Sequence, residues 1–128
     1  MADLLHKSSA WLEDQRKKHR TTDVTYRRGV ESVVVKATIG RTLFEQDDGA
    51  GVIVRLQVRD YLIDTVDLVL AGNQTLPAKG DRIEEIDAGQ KHTYEVLPLG
   101  GEQHWRYSDP YRRTLRIHTK LIATEAAS

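Results

Sequence analysis

The chain has 128 residues, within the usual allotment of about 100–200 residues for one domain. Nineteen Lys and Arg balance nineteen Asp and Glu, so no global field draws the protein to nucleic acid or to a charged membrane surface. The absence of cysteine excludes disulfides, thiolate metal sites and thiol nucleophiles together, and no apolar run approaches the roughly 20 residues of a membrane span or forms a signal-peptide core; a soluble intracellular protein is expected.

Charge is segregated along the chain. Residues 37–103 carry twice as many acidic as basic side chains, whereas both flanks are basic. In a neutral chain this pattern suits head-to-tail contacts between copies.

Residues 1–20 are expected to form an N-terminal amphipathic helix. Leu4, Leu5, Ser8, Trp11, Leu12 and Gln15 fall on one stripe, Asp3 sits in the first turn, and Arg16, Lys17, Lys18 and His19 sit in the last, complementing the helix dipole. The stripe is narrow, so the helix must pack on the body or on a neighbouring copy; Leu4 and Trp11 are its interface candidates.

From Thr22 the period changes from 3.6 to 2. Val24 and Tyr26 alternate, Gly29 breaks the run, and Val33, Val35, Ala37 and Ile39 share one face. In "GVIVRLQVRDYLID", Val52, Val54, Leu56 and Val58 are expected inward, and Ile53, Arg55, Gln57 and Arg59 outward. Between these strands, residues 40–51 read as a turn-rich acidic loop with Phe44, Asp47 and Asp48 at its tip; an exposed apolar tip there has no core reason to exist and suits a partner contact, the alternative being Phe44 tucked under the barrel. The segment "TVDLVLAGNQTL" is ambiguous between helix and strand and reads as strand-like, because Val66, Leu68 and Leu70 alternate before Gly72-Asn73.

Pro77 and Gly80 then lead into a hairpin through Ile83 and, after the Ala88-Gly89 turn, Tyr94 and Val96. A short strand carries Trp105 and Tyr107 on one face. Asp109-Pro110 makes the next turn through a short side-chain acceptor and a fixed φ. In the closing strand Leu115, Ile117, Thr119 and Leu121 face one side, while Arg116, His118, Lys120 and Ile122 face the other. Arg106, Arg116, His118 and Lys120 are thus expected as a wet, basic ladder, and residues 123–128 as a frayed tail. The fold class is mainly β: a small antiparallel β-barrel or sandwich of five to seven strands over residues 21–122, preceded by one α-helix.

No constellation specifies a reaction. His6, His19, His92, His104 and His118 have no metal-ligand spacing. The serines lack a nucleophile-elbow context. The pairs Asp47-Asp48 and Glu84-Glu85 point to opposite faces of a strand or lie in a turn. No catalytic residue, cofactor or metal is therefore assigned. Convergence of Arg116, His118 and Lys120 in a cavity beside His92 or His104 would instead indicate a reactive centre.

The order of the pieces, with Pro77, Gly80, Asp81, Arg82 and Ile83 before a glycine turn and then Tyr94 and Val96, resembles the small head-tail joining or neck (connector or stopper) proteins of tailed bacteriophages and prophages. The resemblance implies a non-enzymatic structural protein of the virion, assembled in the bacterial host cytoplasm. It implies a β-barrel that forms a ring, often of six, between portal and tail proteins and near packaged DNA. The loop of Phe44, Asp47 and Asp48 would line the channel, and Leu4, Trp11, Arg112, Arg113, Arg116 and Lys120 would contact neighbours. The alternative is a small barrel that binds single-stranded nucleic acid through the basic C-terminal face, which requires aromatic and basic side chains to share one surface.

Overall fold

The computed structural model describes residues 21–47, 49–98 and 102–127, and at 44–47 and 53–57 the backbone alone. Among the described residues nine strands follow one another: β1 (Thr21–Arg28), β2 (Glu31–Asp47), β3 (Ile53–Asp64), β4 (Val69–Leu70), β5 (Asn73–Gln74), β6 (Arg82–Asp87), β7 (Gln90–Val96), β8 (Trp105–Tyr107) and β9 (Thr114–Ala126). All pairings are antiparallel, in the order β3-β2-β1-β6-β7-β9, and β3 pairs with β9 to close a six-stranded barrel. Over Arg59–Asp64 and Thr114–Thr119, closure covers the edges that an open sheet would expose. β8 joins the same edge of β9 as β7, opposite Leu115–Ile117. β4 and β5 form a separate small hairpin.

Alternation fills the barrel. Val24 and Tyr26 of β1, Val35 and Ala37 of β2, Tyr61 and Ile63 of β3, Ile83 of β6, Val96 of β7, and Leu115 and Ile117 of β9 are buried together. Leu68 and Leu70 join them from the segment after β3, and Val33, Ile39, Tyr94, Trp105 and Tyr107 pack against the cluster. Each fully buried aliphatic or aromatic side chain contributes about 1.5–3 kcal/mol relative to an exposed one. The interior is a packed core.

Turn chemistry sets the registers. Asp87 pairs with Gln90 across a two-residue turn in which Ala88 and Gly89 both have positive φ, 51° and 77°. That is the turn whose twist matches antiparallel strands.

Several expectations change. The helix over residues 1–20 lies outside the described residues, and among those described the only helical element is a 3-10 turn, Thr65–Asp67. The loop expected over residues 40–51 is strand through Asp47 on one side and from Ile53 on the other, so β2 and β3 form a long hairpin arm. Where its side chains are described, β3 differs in part: Tyr61 and Ile63 are in the core and Arg59, expected outward, shares their face, while Val58 is buried as expected, on the side of Asp60, and Val52 is exposed. Register decides this, because Ala37 sits opposite Ile63 and Ile39 opposite Tyr61, and a one-residue slip flips every side chain. The strand-like segment after β3 divides into the 3-10 turn and the β4–β5 hairpin. The tail expected to fray from residue 123 stays in β9 to Ala126, and the Ala127 amide donates to the Gly89 carbonyl.

Candidate functional site

The charges expected on the wet face of β9 are the chief surprise. Asp60 of β3 lies opposite His118 of β9 in the register, and both are shut off from solvent, at 0% and 1% exposure. His118 Nδ1 meets Asp60 Oδ1 at 2.7 Å, and His118 Nε2 meets Glu102 Oε2 at 3.1 Å. Arg116 Nε donates to Asp60 Oδ2 at 2.7 Å, and the Thr42 hydroxyl donates to the same oxygen. The Arg116 guanidinium also reaches the Arg41 carbonyl at 3.1 Å. Gly40 makes room for that crossing: a Cβ there would stand 3.1 Å from Leu62 Cδ1 and 3.3 Å from Arg116 Nη2.

A buried carboxylate is tolerated only when paired and hydrogen-bonded. Burial pushes the Asp60 carboxyl up, but His118, Thr42 and Arg116 together outweigh it and hold it below its ordinary value. The basic ladder is thereby corrected. Arg116 and His118 turn to Asp60, and of the four only Arg106 and Lys120 are exposed.

Two further buried networks hold the barrel. Asp81 accepts from Arg28 Nε at 2.9 Å and Nη2 at 2.7 Å, from the Ala78 amide at 2.9 Å, and from the Tyr26 hydroxyl. Arg28 also donates to Thr75 Oγ1 and the Leu76 carbonyl. Burial raises the Asp81 carboxyl, yet Arg28, Tyr26 and the Ala78 amide together lower it below its usual value, and burial with the Asp81 contact pushes the Tyr26 phenol far up. In the third network Glu85 accepts from Arg59 Nε at 2.9 Å and from the Tyr61 hydroxyl. The Arg59 guanidinium lies 5.2 Å from the Tyr94 ring centroid, and Tyr94 meets Tyr61 edge to face at 5.6 Å.

The Pro77–Val96 pattern now has a physical content. Gly80, at φ +88°, lets its amide reach the Val96 carbonyl, and the Val96 amide returns to the Asp81 carbonyl. The Asp81 side chain then ties this turn to β1. These residues form a clasp between strands.

Chemically, the second ring nitrogen of His118 faces the carboxylate of Glu102, which is not a hydroxyl or thiol that the Asp60–His118 pair could activate. His104, on the next strand edge, contributes its backbone carbonyl to the His118 amide, while its own ring meets the Pro77 carbonyl at 2.8 Å. His92 lies apart, on Thr124 Oγ1 at 3.1 Å. Among the described residues, no group of three His, Asp or Glu is arranged to hold a metal ion, and no helix is long and apolar enough to cross a membrane.

The sequence-predicted site residues are dispersed. Phe44 pairs with Leu56 and Asp47 with Ile53 along the arm; Asp48, Leu4 and Trp11 lie outside the described residues. Arg112 and Arg113 share the turn before β9, where Arg112 has φ 58° and stacks 5.7 Å from the Tyr107 ring centroid. Trp105 and Tyr107 meet edge to face at 5.0 Å against the core, with Arg106 turned to solvent. Arg106 therefore does not share the face of these two rings, and the cation beside Tyr107 is Arg112 from the turn. Asp60, Glu85 and Glu102 carry no sequence signal beyond being charges in or next to apolar strands; only the register could have paired Asp60 with His118.

A family model described as phage head-tail joining protein matches residues 2–126. The chain belongs to that family. A search of the curated proteins finds no match. As a phage head-tail joining protein, it is a structural component of the virion that works through contacts with other head and tail proteins. Its buried charges accordingly read as fasteners of the barrel.

Proposed function

We propose that this head-tail joining protein is a non-catalytic neck component. It assembles in the host cytoplasm as a ring, of six in the simplest case, between the portal and the tail. The observation that carries this reading is the pairing of a filled barrel with a β2–β3 arm that runs beyond it. Such a barrel has no chamber for a substrate, whereas an arm projecting from each copy of a ring can meet at its axis. In this arrangement the acidic tip, Asp47 and Asp48 with Phe44 nearby, lines the channel next to packaged DNA. The N-terminal segment with Leu4 and Trp11, and the exposed Arg112 and Lys120, face neighbours.

The test is light scattering on the full chain, alone and with the portal protein. A discrete symmetric oligomer in either setting is expected. A strictly monomeric chain that also ignores the portal overturns the reading.

A further inference from the structure

Among the strand edges left open in the described residues, two lie side by side where barrel closure stops. β3 and β9 pair from Asp64 opposite Thr114 to Arg59 opposite Thr119. Past Thr119, β9 continues to Ala126 beside β7 alone. Ahead of Arg59, β3 extends back to Ile53 beside β2 alone. The edges 53–58 and 120–126 therefore have no partner strand among the described residues.

The two halves of β9 differ sharply. Thr114–Thr119 is buried except for half-buried Arg116, whereas every residue from Lys120 to Ala126 is exposed. Leu121 and Ile122 are 47% and 40% exposed, on a strand carrying neither proline nor glycine. Ile122 is the extra residue of a bulge, because Tyr94 pairs with Leu121 and Thr93 with Ala123. An open apolar edge of this length is a template for another strand.

We propose that the β9 edge 120–126 accepts the β3 edge 53–58 of a second copy, antiparallel, and so continues between chains the pairing these strands already make within one. This deepens the ring reading above and rests on it. A second copy is the occupant because this chain carries both halves of the match. The sequence "IVRLQV" is apolar and rich in β-branched residues, without proline or glycine. The open lengths are nearly equal, and the strands are already complementary at 59–64 with 114–119. Continued register places Gln57 opposite Leu121 and Val54 opposite Thr124. Each copy gives one edge and takes one, a head-to-tail contact that closes into a ring when its rotation permits.

The natural chain has no cysteine, so single-cysteine variants report cleanly. Gln57→Cys and Leu121→Cys are mixed in equal amounts under mild oxidation, with and without the portal protein, one of them mass-tagged. The expected product is the linked heterodimer in excess over the statistical mixture. In the wild-type assembly, the amides of 121–126 gain protection from hydrogen exchange. Assembly in which those amides exchange as in the monomer overturns the edge pairing and leaves the ring reading standing. So does assembly that links Leu121→Cys only to itself. A chain that stays monomeric with and without the portal overturns both.

Discussion

Asp60 and His118 face each other across β3 and β9, with a 2.7 Å contact between side chains that are both closed to solvent. Arg116 and Thr42 complete the shell of donors around the same carboxylate. The pair lies on the face of the sheet opposite the apolar core, so it fastens β2, β3 and β9 where closure of the barrel takes place. Removing the carboxylate leaves Arg116 and His118 without their acceptor in a dry site. Asp60→Ala is expected to cost about 3–5 kcal/mol, read as a lower midpoint in urea unfolding at neutral pH. A cost under about 1 kcal/mol would show that the network contributes nothing net to stability.

Acid should weaken the barrel through two carboxylates. Asp60 and Asp81 are held below their ordinary value of 3.8 in the folded chain, since the donors around each outweigh the effect of burial. A group depressed on folding contributes stability that is fully present above its unfolded value and is lost as the pH falls through its folded value. Thermal unfolding between pH 6 and pH 2 should therefore show a steepening loss below about pH 4. Asp60→Asn should be less stable throughout and show a shallower acid slope. An unchanged slope in that variant would assign the acid loss elsewhere.

Gly40 tests the approach of Arg116. The room beside it is bounded by Leu62 and the movable end of Arg116, so Gly40→Ala should be nearly neutral. Gly40→Val should push the guanidinium from Asp60 and cost about 1–3 kcal/mol, the range for overpacking. If Gly40→Val retains full stability, the close approach has no energetic weight.

Asp109 caps the turn into β9. Its carboxylate accepts the amides of Tyr111, Arg113 and Thr114 at 3.1, 2.9 and 2.9 Å. Asp109→Ala should cost about 1–3 kcal/mol and speed hydrogen exchange at Arg113 and Thr114. Asp109→Asn, which retains one acceptor oxygen, should lose less. Equal exchange in all three proteins would remove the capping role.

Tyr26 and Asp81 should be coupled. Tyr26→Phe removes one of four donors to Asp81 and should cost about 1 kcal/mol. Asp81→Ala should cost more, because Tyr26 and Arg28 both lose their acceptor. The double variant should be less destabilised than the sum of the two, by about 0.5–3 kcal/mol; strict additivity in chemical unfolding would show that the short contact carries no interaction energy.

The period of two and the turn residues were sufficient for much of this molecule. Alternation through Val24 and Tyr26, Val35 and Ala37, and Leu115 and Ile117 determined which side chains build the core, because a pleated strand sends successive residues to opposite faces. Ala88-Gly89 and Asp109-Pro110 determined two turns through local backbone and side-chain chemistry. The pattern from Pro77 to Val96 pointed to the family without disclosing that Asp81 works as a clasp. What surrounds each charge was settled only by tertiary structure. Arg116 and His118 lie on the outward face of β9, as their parity requires, yet Asp60 from a strand 58 residues away in sequence and Glu102 cover them. The placing of Tyr61 and Ile63 in the core likewise followed from the register of β3 against β2, against the preference that the apolar row Val52, Val54, Leu56 and Val58 sets locally. Local sequence carries periodicity and turn geometry; which strands become neighbours, and hence which charges find partners, depends on long-range pairing that no short window contains.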